Sequence, residues 1–319
     1  MSHTVIHEIL EKASSGQELT YDEKKLLFKA MGENTDFAAE LRRDFAYSRG
    51  EVLRPVLREQ SLIRSIFKET QVDEDVPFPV RGEKVRSAWY TASLGGTSMR
   101  TMEEDEIYIP SFFIRGGVRW KRDLLRSGNV NLIEQLENDQ VDSVVYLENF
   151  AGWKLIKAAH AAGDLLNIPH ITGGDTFTLD VMIEIITRMD ERGDDRRQIT
   201  DIYLSPRRYH EILKWAKLDV QQLDDGTRRE IFVGGPEAVA NVLKSWNVAF
   251  HKVLNPRFVD DTKCYCFDAR TFGIFKVDIP WETQEDILAA MSWEAGWIGR
   301  EKVGFGILDV AAGCVYNFV

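Results

Sequence analysis

Residues 131–162 read NLIEQLENDQVDSVVYLENFAGWKLIKAAHAA. Ile133, Leu136, Gln140, Val144, Leu147, Ala151, Leu155, Ala158 and Ala162 recur three or four positions apart and are apolar except for Gln140, which is the repeat of one helix face. The opposite face carries Glu134, Asn138, Asp142 and Asn149. Some thirty residues at ~1.5 Å rise make a rod of roughly 45–50 Å, several times the mean helix of a globular domain. So long an element needs long neighbours to cover it, and the flanking sequence has to supply them.

Upstream, residues 1–75 read as helices joined by short breaks. Thr20-x-x-Glu23 is a capping box ahead of KKLLFKAM, with the threonine hydroxyl placed to accept from the Glu23 amide. A run from Glu51 to Phe67 puts Leu53, Val56, Leu57, Ile63 and Phe67 on one side, with Pro55 expected in a first turn, where its missing N–H costs nothing. Each helix is short with one apolar edge, so none is expected to be stable alone. Residues 76–120, VPFPVRGEKVRSAWYTASLGGTSMRTMEEDEIYIPSFFIRGGVRW, then predict strands over 85–90 and 106–114 around a Gly95-Gly96 tip. This is a long hairpin whose 93–105 end is polar. Trp89 and Tyr90 on it are either core or contact anchors, since tryptophan and tyrosine dominate desolvated interfaces.

Downstream, the long helix stops at Gly163 and a different unit opens with Pro169-His170 and Gly173-Gly174-Asp175. Thr176–Met189 predicts an amphipathic helix and Ile202–Leu204 a buried strand. Ser205-Pro206 places an N-cap and a first-turn proline before the helix RRYHEILKWA. REIFVGG and WNVAFHKVLN read as strands separated by the helix PEAVANVLKS, an α/β alternation. From Asn255 strands return in KCYCFDA and FGIFKVDI, and the terminal apolar strand is expected to close a sheet begun earlier.

The totals narrow the function. With 44% hydrophobic and 29% charged residues the 319-residue chain has an ordinary globular composition. No apolar run nears the ~18 residues of a membrane span, and the N-terminus lacks a signal-peptide pattern, so a cytosolic protein is expected. A net charge of −11 argues against a sequence-independent nucleic-acid binder. The charge is uneven, because residues 40–68 hold seven basic and four acidic side chains within an acidic chain. Such complementary patches can steer one copy onto another. Cys264, Cys266 and Cys314 fit neither a disulfide framework nor a zinc spacing. The six histidines are scattered, SLGGTS lacks the lysine and helix start of a phosphate cradle, and Gly304-Phe305-Gly306 lacks the rest of a dinucleotide fingerprint. Acidic runs at Glu103–Glu106 and Asp224-Asp225 offer cation ligands without fixed spacing. No catalytic, cofactor-binding or metal residue is therefore assigned.

The order of parts, with REKVGFGILDVAAGCVYN at Arg300–Asn317 and DIYLSPRRYHEILKWA at Asp201–Ala216, resembles the major capsid proteins of tailed bacteriophages, with the Hong Kong 97-like fold. That resemblance implies an α+β chain in which 1–75 is a helical arm, 76–120 an extended hairpin loop and 121–165 a peripheral domain with its spine helix. It implies an axial domain over 166–254, peripheral sheet over 255–305, and a closing strand over 306–319 that returns to the axial domain. It implies a structural protein, not an enzyme, that self-assembles as hexamers and pentamers into an icosahedral shell around packaged DNA, which it encloses without sequence-specific binding. The loop at Pro79–Arg119 would lie across a neighbouring subunit. Trp89, Tyr90, Met99, Arg100, Arg54 and Arg58 are the expected inter-subunit contacts. Assembly in the host cytoplasm, location in the virion, a portal, no membrane partner and no cofactor follow from the same likeness. No charged coiled-coil segment precedes the arm, so a separate scaffolding protein is expected, and the start at Met1 sets the expectation that no N-terminal segment is cleaved away. Cross-linking through Lys84 is not expected. Two alternatives are an encapsulin-like nanocompartment shell and a metal-dependent cytosolic hydrolase using the acidic runs. The spine helix is expected to bury its apolar face within its own subunit and to turn its acidic face to a basic extension or to solvent.

Overall fold

The structure, a computed structural model, describes residues 3–15, 17–33, 35–71, 78–79, 106–127, 129–161, 170–192, 198–218, 248–286 and 294–319. Its N-terminal part forms α1 (His3–Ser14), α2 (Tyr21–Met31), α3 (Asp36–Gln60), α4 (Leu62–Ile66) and strand β1 (Lys68–Gln71). The capping box is present: Glu23 N–H donates to the Thr20 hydroxyl and the Glu23 carboxylate accepts from Thr20 N–H at 2.9 Å. Pro55 departs from expectation, for it lies deep inside the 25-residue α3. Both Pro55 and Glu51, whose carbonyl loses its helical donor there, are exposed, so water can replace the missing bond.

The chain continues through β2 (Phe78–Pro79), β3 (Glu106–Ile107), β4 (Phe112–Lys121), α5 (Arg122–Ser127) and α6 (Val130–Ala161). Then come β5 (His170–Gly173), α7 (Leu179–Arg192), β6 (Asp201–Leu204), α8 (Pro206–Leu218) and β7 (Ala249–Lys252). β8 (Lys263–Phe267), β9 (Gly273–Glu285), β10 (Glu294–Ile307) and β11 (Gly313–Phe318) complete it. Among the described residues three sheets result, ordered β1-β9-β10-β4, β5-β11-β8-β6-β7 and β2-β3. The hairpin strand expected over 85–90, the strand REIFVGG and the helix PEAVANVLKS lie outside the described residues. The strand expected over 106–114 is broken at Tyr108–Ser111 into β3 and β4, because Pro110 has no N–H to give a ladder.

Helix α6 has the 32 residues its periodicity predicts, and it joins the two larger sheets. Along its length Ile133, Val141 and Val144 are buried with Ile114, Val118 and Trp120 of β4 in one core. At its far end Trp153 and Ile156 belong to the same core as Tyr203, Tyr265, Phe267 and Val315, which all lie on one face of the five-stranded sheet. The alternate residues of those strands, Ile202, Leu204, Cys264, Cys266, Cys314, Tyr316 and Phe318, face a second core with Val181, Met182, Ile185 and Ile212 of α7 and α8. The period-two alternation of apolar residues thus has a buried partner on both faces. The cysteines are packing residues: all three are fully buried, and burial pushes the Cys266 thiol well up. The closing strand β11 sits between β5 and β8, in register Val315 with His170 and Cys314 with Cys266.

Three allocations differ from the sequence reading. β8, expected in the peripheral sheet over 255–305, pairs with β6 and β11 in the five-stranded sheet, because Tyr265/Phe267 and Cys264/Cys266 are two apolar sets needing cores on opposite faces. The N-terminal helices are integral to the body: Ile6, Ile9, Leu10, Leu27, Phe28, Met31, Leu41 and Phe45 are buried in the core that holds α6. α3 covers the edge of β9 beyond the four residues paired with β1, where Thr283 Oγ1 donates to Ala46 O and Arg54 Nε to Trp281 O at 2.6 Å. An otherwise open strand edge is thereby closed by a helix. Finally, the buried stripe of α6 turns away from the expected one after Val144. Glu148, Asn149, Gly152, Trp153 and Ile156 are buried, while Leu147 is 47% exposed and Ala158 faces solvent.

The cause of that turn is polar. Arg49 holds Glu137 through two hydrogen bonds of 3.1 and 2.6 Å, and Lys24 pairs with Glu134. Asn149 Oδ1 accepts from Ile63 N–H at 3.0 Å, so a side chain of the long helix caps α4, whose own Ser61 makes no side-chain cap. The basic segment 40–68 therefore meets the acids of α6 inside one copy, and less of it is left for a neighbour than the charge counts implied.

Gln140 interrupts the stripe as expected and is buried, 7% exposed, against Gly116 of β4, where an added Cβ would lie 2.9 Å from Gln140 Nε2. Neither end of its amide has a hydrogen-bond partner among the described residues. Gln140→Met keeps the volume and removes the unpaired dipole, so it is expected to stabilise the chain by about 1–2 kcal/mol. A rise in urea midpoint at unchanged slope is the readout.

Candidate assembly surface

α6 covers one face of the four-stranded sheet, that of Ile114, Val118 and Trp120; the other face of β4 is open. Phe113, Arg115, Gly117 and Arg119 alternate on it and are all exposed, continuing through Arg300 of β10 and Gln284 of β9. The register puts Arg115 opposite Arg300 and Arg300 opposite Glu282. Arg300 Nε bonds Glu282 Oε1 at 2.6 Å, and Arg119 pairs with Asp286. Arg115 has no carboxylate partner among the described residues; its guanidinium stands 5.2 Å from the Phe113 ring, which Lys302 approaches at 5.8 Å. Two arginines directly across an antiparallel pair repel, and the carboxylate of Glu282 is taken by Arg300.

Where α3 runs along this sheet a cleft of about 670 Å³ opens, lined among others by Tyr47, Glu51, Arg54, Arg115, Glu282 and Arg300. Three guanidinium groups against two carboxylates leave it net basic. At the base of the hairpin, Tyr108, Phe112 and Phe113 are 65%, 38% and 45% exposed, three large rings within six positions. Arginine and aromatic side chains are those that carry interface energy.

Of the residues expected at contacts, Trp89, Tyr90, Met99 and Arg100 lie outside the described residues, as do Lys84, Glu103–Asp105 and Asp224-Asp225. Arg54 is placed in the cleft. Arg58, on the same helix, is exposed and pairs with Glu69 at 3.2 Å. Arg115, Arg300, Tyr47 and Phe113 were not singled out from sequence, although the alternation in FFIRGGVRWK marks one outward face; Arg300 needed the strand register. Among the described residues no group of three or more His, Cys, Asp or Glu could hold a metal ion, and no helix is long and apolar enough to cross a membrane.

A further polar cluster lies beneath the sheet. Arg64 of α4 bonds Glu148 of α6 at 2.6 and 3.0 Å and Glu301 of β10 at 2.9 Å. Its side chain is 8% exposed, and those of the two acids 0% and 1%. Burial, and then the hydrogen bond and charge of Glu148, push Glu301 up to about 9. Burial would raise Glu148 too, but hydrogen bonds from Glu301 and Arg64 hold it below the usual carboxylate range.

No protein-family model matches the sequence, and no curated protein matches it. Solved structures do match. A virus-like particle from Pyrococcus furiosus superposes with a TM-score of 0.54 at 15% identity, over 84% of this chain and 98% of that one. The capsid of the cyanophage P-SCSP1u gives 0.54 at 10% identity, over 81% and 88%. The capsid of an empty GTA particle gives 0.52 at 13% identity, over 82% and 90%. At such identities the likeness is one of fold.

Proposed function

We propose that this chain, whose α+β architecture is the Hong Kong 97-like fold of those capsids, is the major capsid protein of a tailed bacteriophage, assembling as hexamers and pentamers into a closed icosahedral shell around DNA. One observation carries the reading: the likeness extends over more than four-fifths of this chain and takes in nearly the whole of the matched chain of the virus-like particle from Pyrococcus furiosus. The part is structural, with no catalytic residue. The long helix and the four-stranded sheet would be the peripheral domain, and the five-stranded sheet with α7 and α8 the axial domain. A separate scaffolding protein and a portal are the partners that such a shell requires, and the virion is its place.

The open sheet face and the cleft at Arg54, Arg115 and Arg300 are assigned to contact with a neighbouring copy. The acidic run Glu103–Glu106 of that copy would supply the charge that Arg115 lacks. Expressed alone or with its scaffold, the chain is expected to form closed particles in electron micrographs. Only monomers would sink the reading, and closed shells filled with protein cargo would move it to a nanocompartment. The double variant Arg115→Glu, Arg300→Glu is expected to fold, by circular dichroism, and to form no particles. Normal particles from it would place the contact elsewhere.

A further inference from the structure

The junction of Arg64, Glu148 and Glu301 brings together three parts of the chain: the N-terminal helices, the long helix and the inner strand β10 of the four-stranded sheet. It holds two carboxyl groups and one guanidinium, all nine-tenths or more out of water. With both acids ionised it would carry a net negative charge in a site that cannot hydrate it, and one oxygen of Glu301 has no hydrogen-bond partner among the described residues. A shared proton removes that charge, giving Arg64⁺ with Glu148⁻ and a neutral Glu301 that donates to Glu148.

Among the described residues the surroundings supply no second cation. From β1, Glu69 stands 3.9 Å from Arg64, but it is a further acid and is met by the exposed Arg58 of α3. From α6 the neighbour is Asn149, which accepts from Ile63 N–H and Ser61 Oγ. β9 contributes the Phe275 ring under Arg64, at 4.6 Å. β4 places Ile114 opposite Glu301. The basic neighbours of Glu301 on its own strand, Arg300 and Lys302, are engaged with Glu282 and Asp278 on β9.

We infer that this junction is a proton-linked lock: any motion that parts α4 from the long helix exposes Glu301, releases one proton per copy, and is favoured by rising pH. A carboxyl group whose pKa is raised in the closed form holds its proton until the junction opens. Between the ordinary carboxylate range and the raised value of about 9, closed copies bind one more proton than opened ones. The inference concerns the single copy and stands whether or not shells form.

Hydrogen exchange at the Ile63 amide reads the opening, because that N–H is bonded to Asn149 at the junction itself. The probe is full-length, unassembled protein at matched pH, wild type against Glu301→Gln, which keeps a hydrogen-bond donor and cannot ionise. Dividing the two rates cancels the intrinsic pH dependence of exchange. The ratio of wild-type to variant opening is expected to rise about tenfold per pH unit between pH 5 and 8, the linkage of one proton. A flat ratio overturns the inference. Should Glu301→Gln not fold, Glu148→Gln removes the same surplus acid, leaving Glu301 to ionise against Arg64, and the ratio taken with it is expected to rise in the same way; a flat one again overturns the inference.

Discussion

Replacing Arg64 with leucine is expected to destabilise the folded chain by about 3–5 kcal/mol at neutral pH, the range for removing one partner of a buried ion pair. Leucine fills part of the space and packs on Phe275, where the guanidinium now lies 4.6 Å from the ring. The loss therefore comes from stranding Glu148, fully buried and left without a cation among the described residues. The sign of the pH dependence follows. In the wild type the lowered Glu148 contributes stability above the ordinary carboxylate range and loses it as pH falls through its own lowered value. In Arg64→Leu both acids become neutral in the folded state, so the variant gains on the wild type as pH falls toward 4.5, where the unfolded carboxyls also protonate. Urea denaturation at pH 7 and pH 5 checks this. A loss under about 1 kcal/mol at pH 7 would mean that the junction hydrates, against its burial.

Trp153→Ala is expected to cost about 3–5 kcal/mol, the range for truncating a large buried aromatic. The indole lies edge-on to Tyr265 at 5.0 Å and to Tyr203 at 6.0 Å and stacks on Phe258 at 6.4 Å. Those contacts tie the end of α6 to the five-stranded sheet, while the rest of the helix belongs to the four-stranded one. The variant is therefore expected to unfold in two calorimetric steps where the wild type shows one, the second core of α7, α8 and the five-stranded sheet melting separately. Trp153 Nε1 has no hydrogen-bond partner among the described residues. Trp153→Phe removes that unpaired donor along with some volume and should lose less than about 1.5 kcal/mol. A single sharp transition in the alanine variant would show that the two sheets are held together by other contacts.

These two residues also mark the limits of legibility. Trp153 lies inside the quoted stretch, yet the three-and-four stepping that found the helix passed it by and chose Leu147, Ala151 and Ala158. Hydropathy assigns a glutamate or an asparagine to solvent, and here Glu148 and Asn149 are drawn inward by Arg64 and by the amide of Ile63. The Arg64 cluster joins positions up to 237 apart in sequence. No local pattern marks such a set, because each member alone looks like an ordinary surface charge. The cleft is similar: Arg54 was expected at contacts, but its neighbours Arg115 and Arg300 come together only through the antiparallel register of β4 and β10.

What the amino-acid order determined by itself is what short-range physics controls. The extent of α6 followed from its period, the start of α2 from the Thr20–Glu23 box, and the helix after Ser205 from its cap and proline. The strands β6, β8, β9 and β11 followed from alternating or continuous apolar runs, while the α+β fold was what the resemblance to the tailed-phage capsid proteins implied. Only the tertiary structure decided that the N-terminal helices complete the body's core, that β8 joins the five-stranded sheet, and which side of the long helix is buried. Those outcomes depend on which distant surface best satisfies a second apolar face or a buried charge, a condition that exists only once the chain is packed.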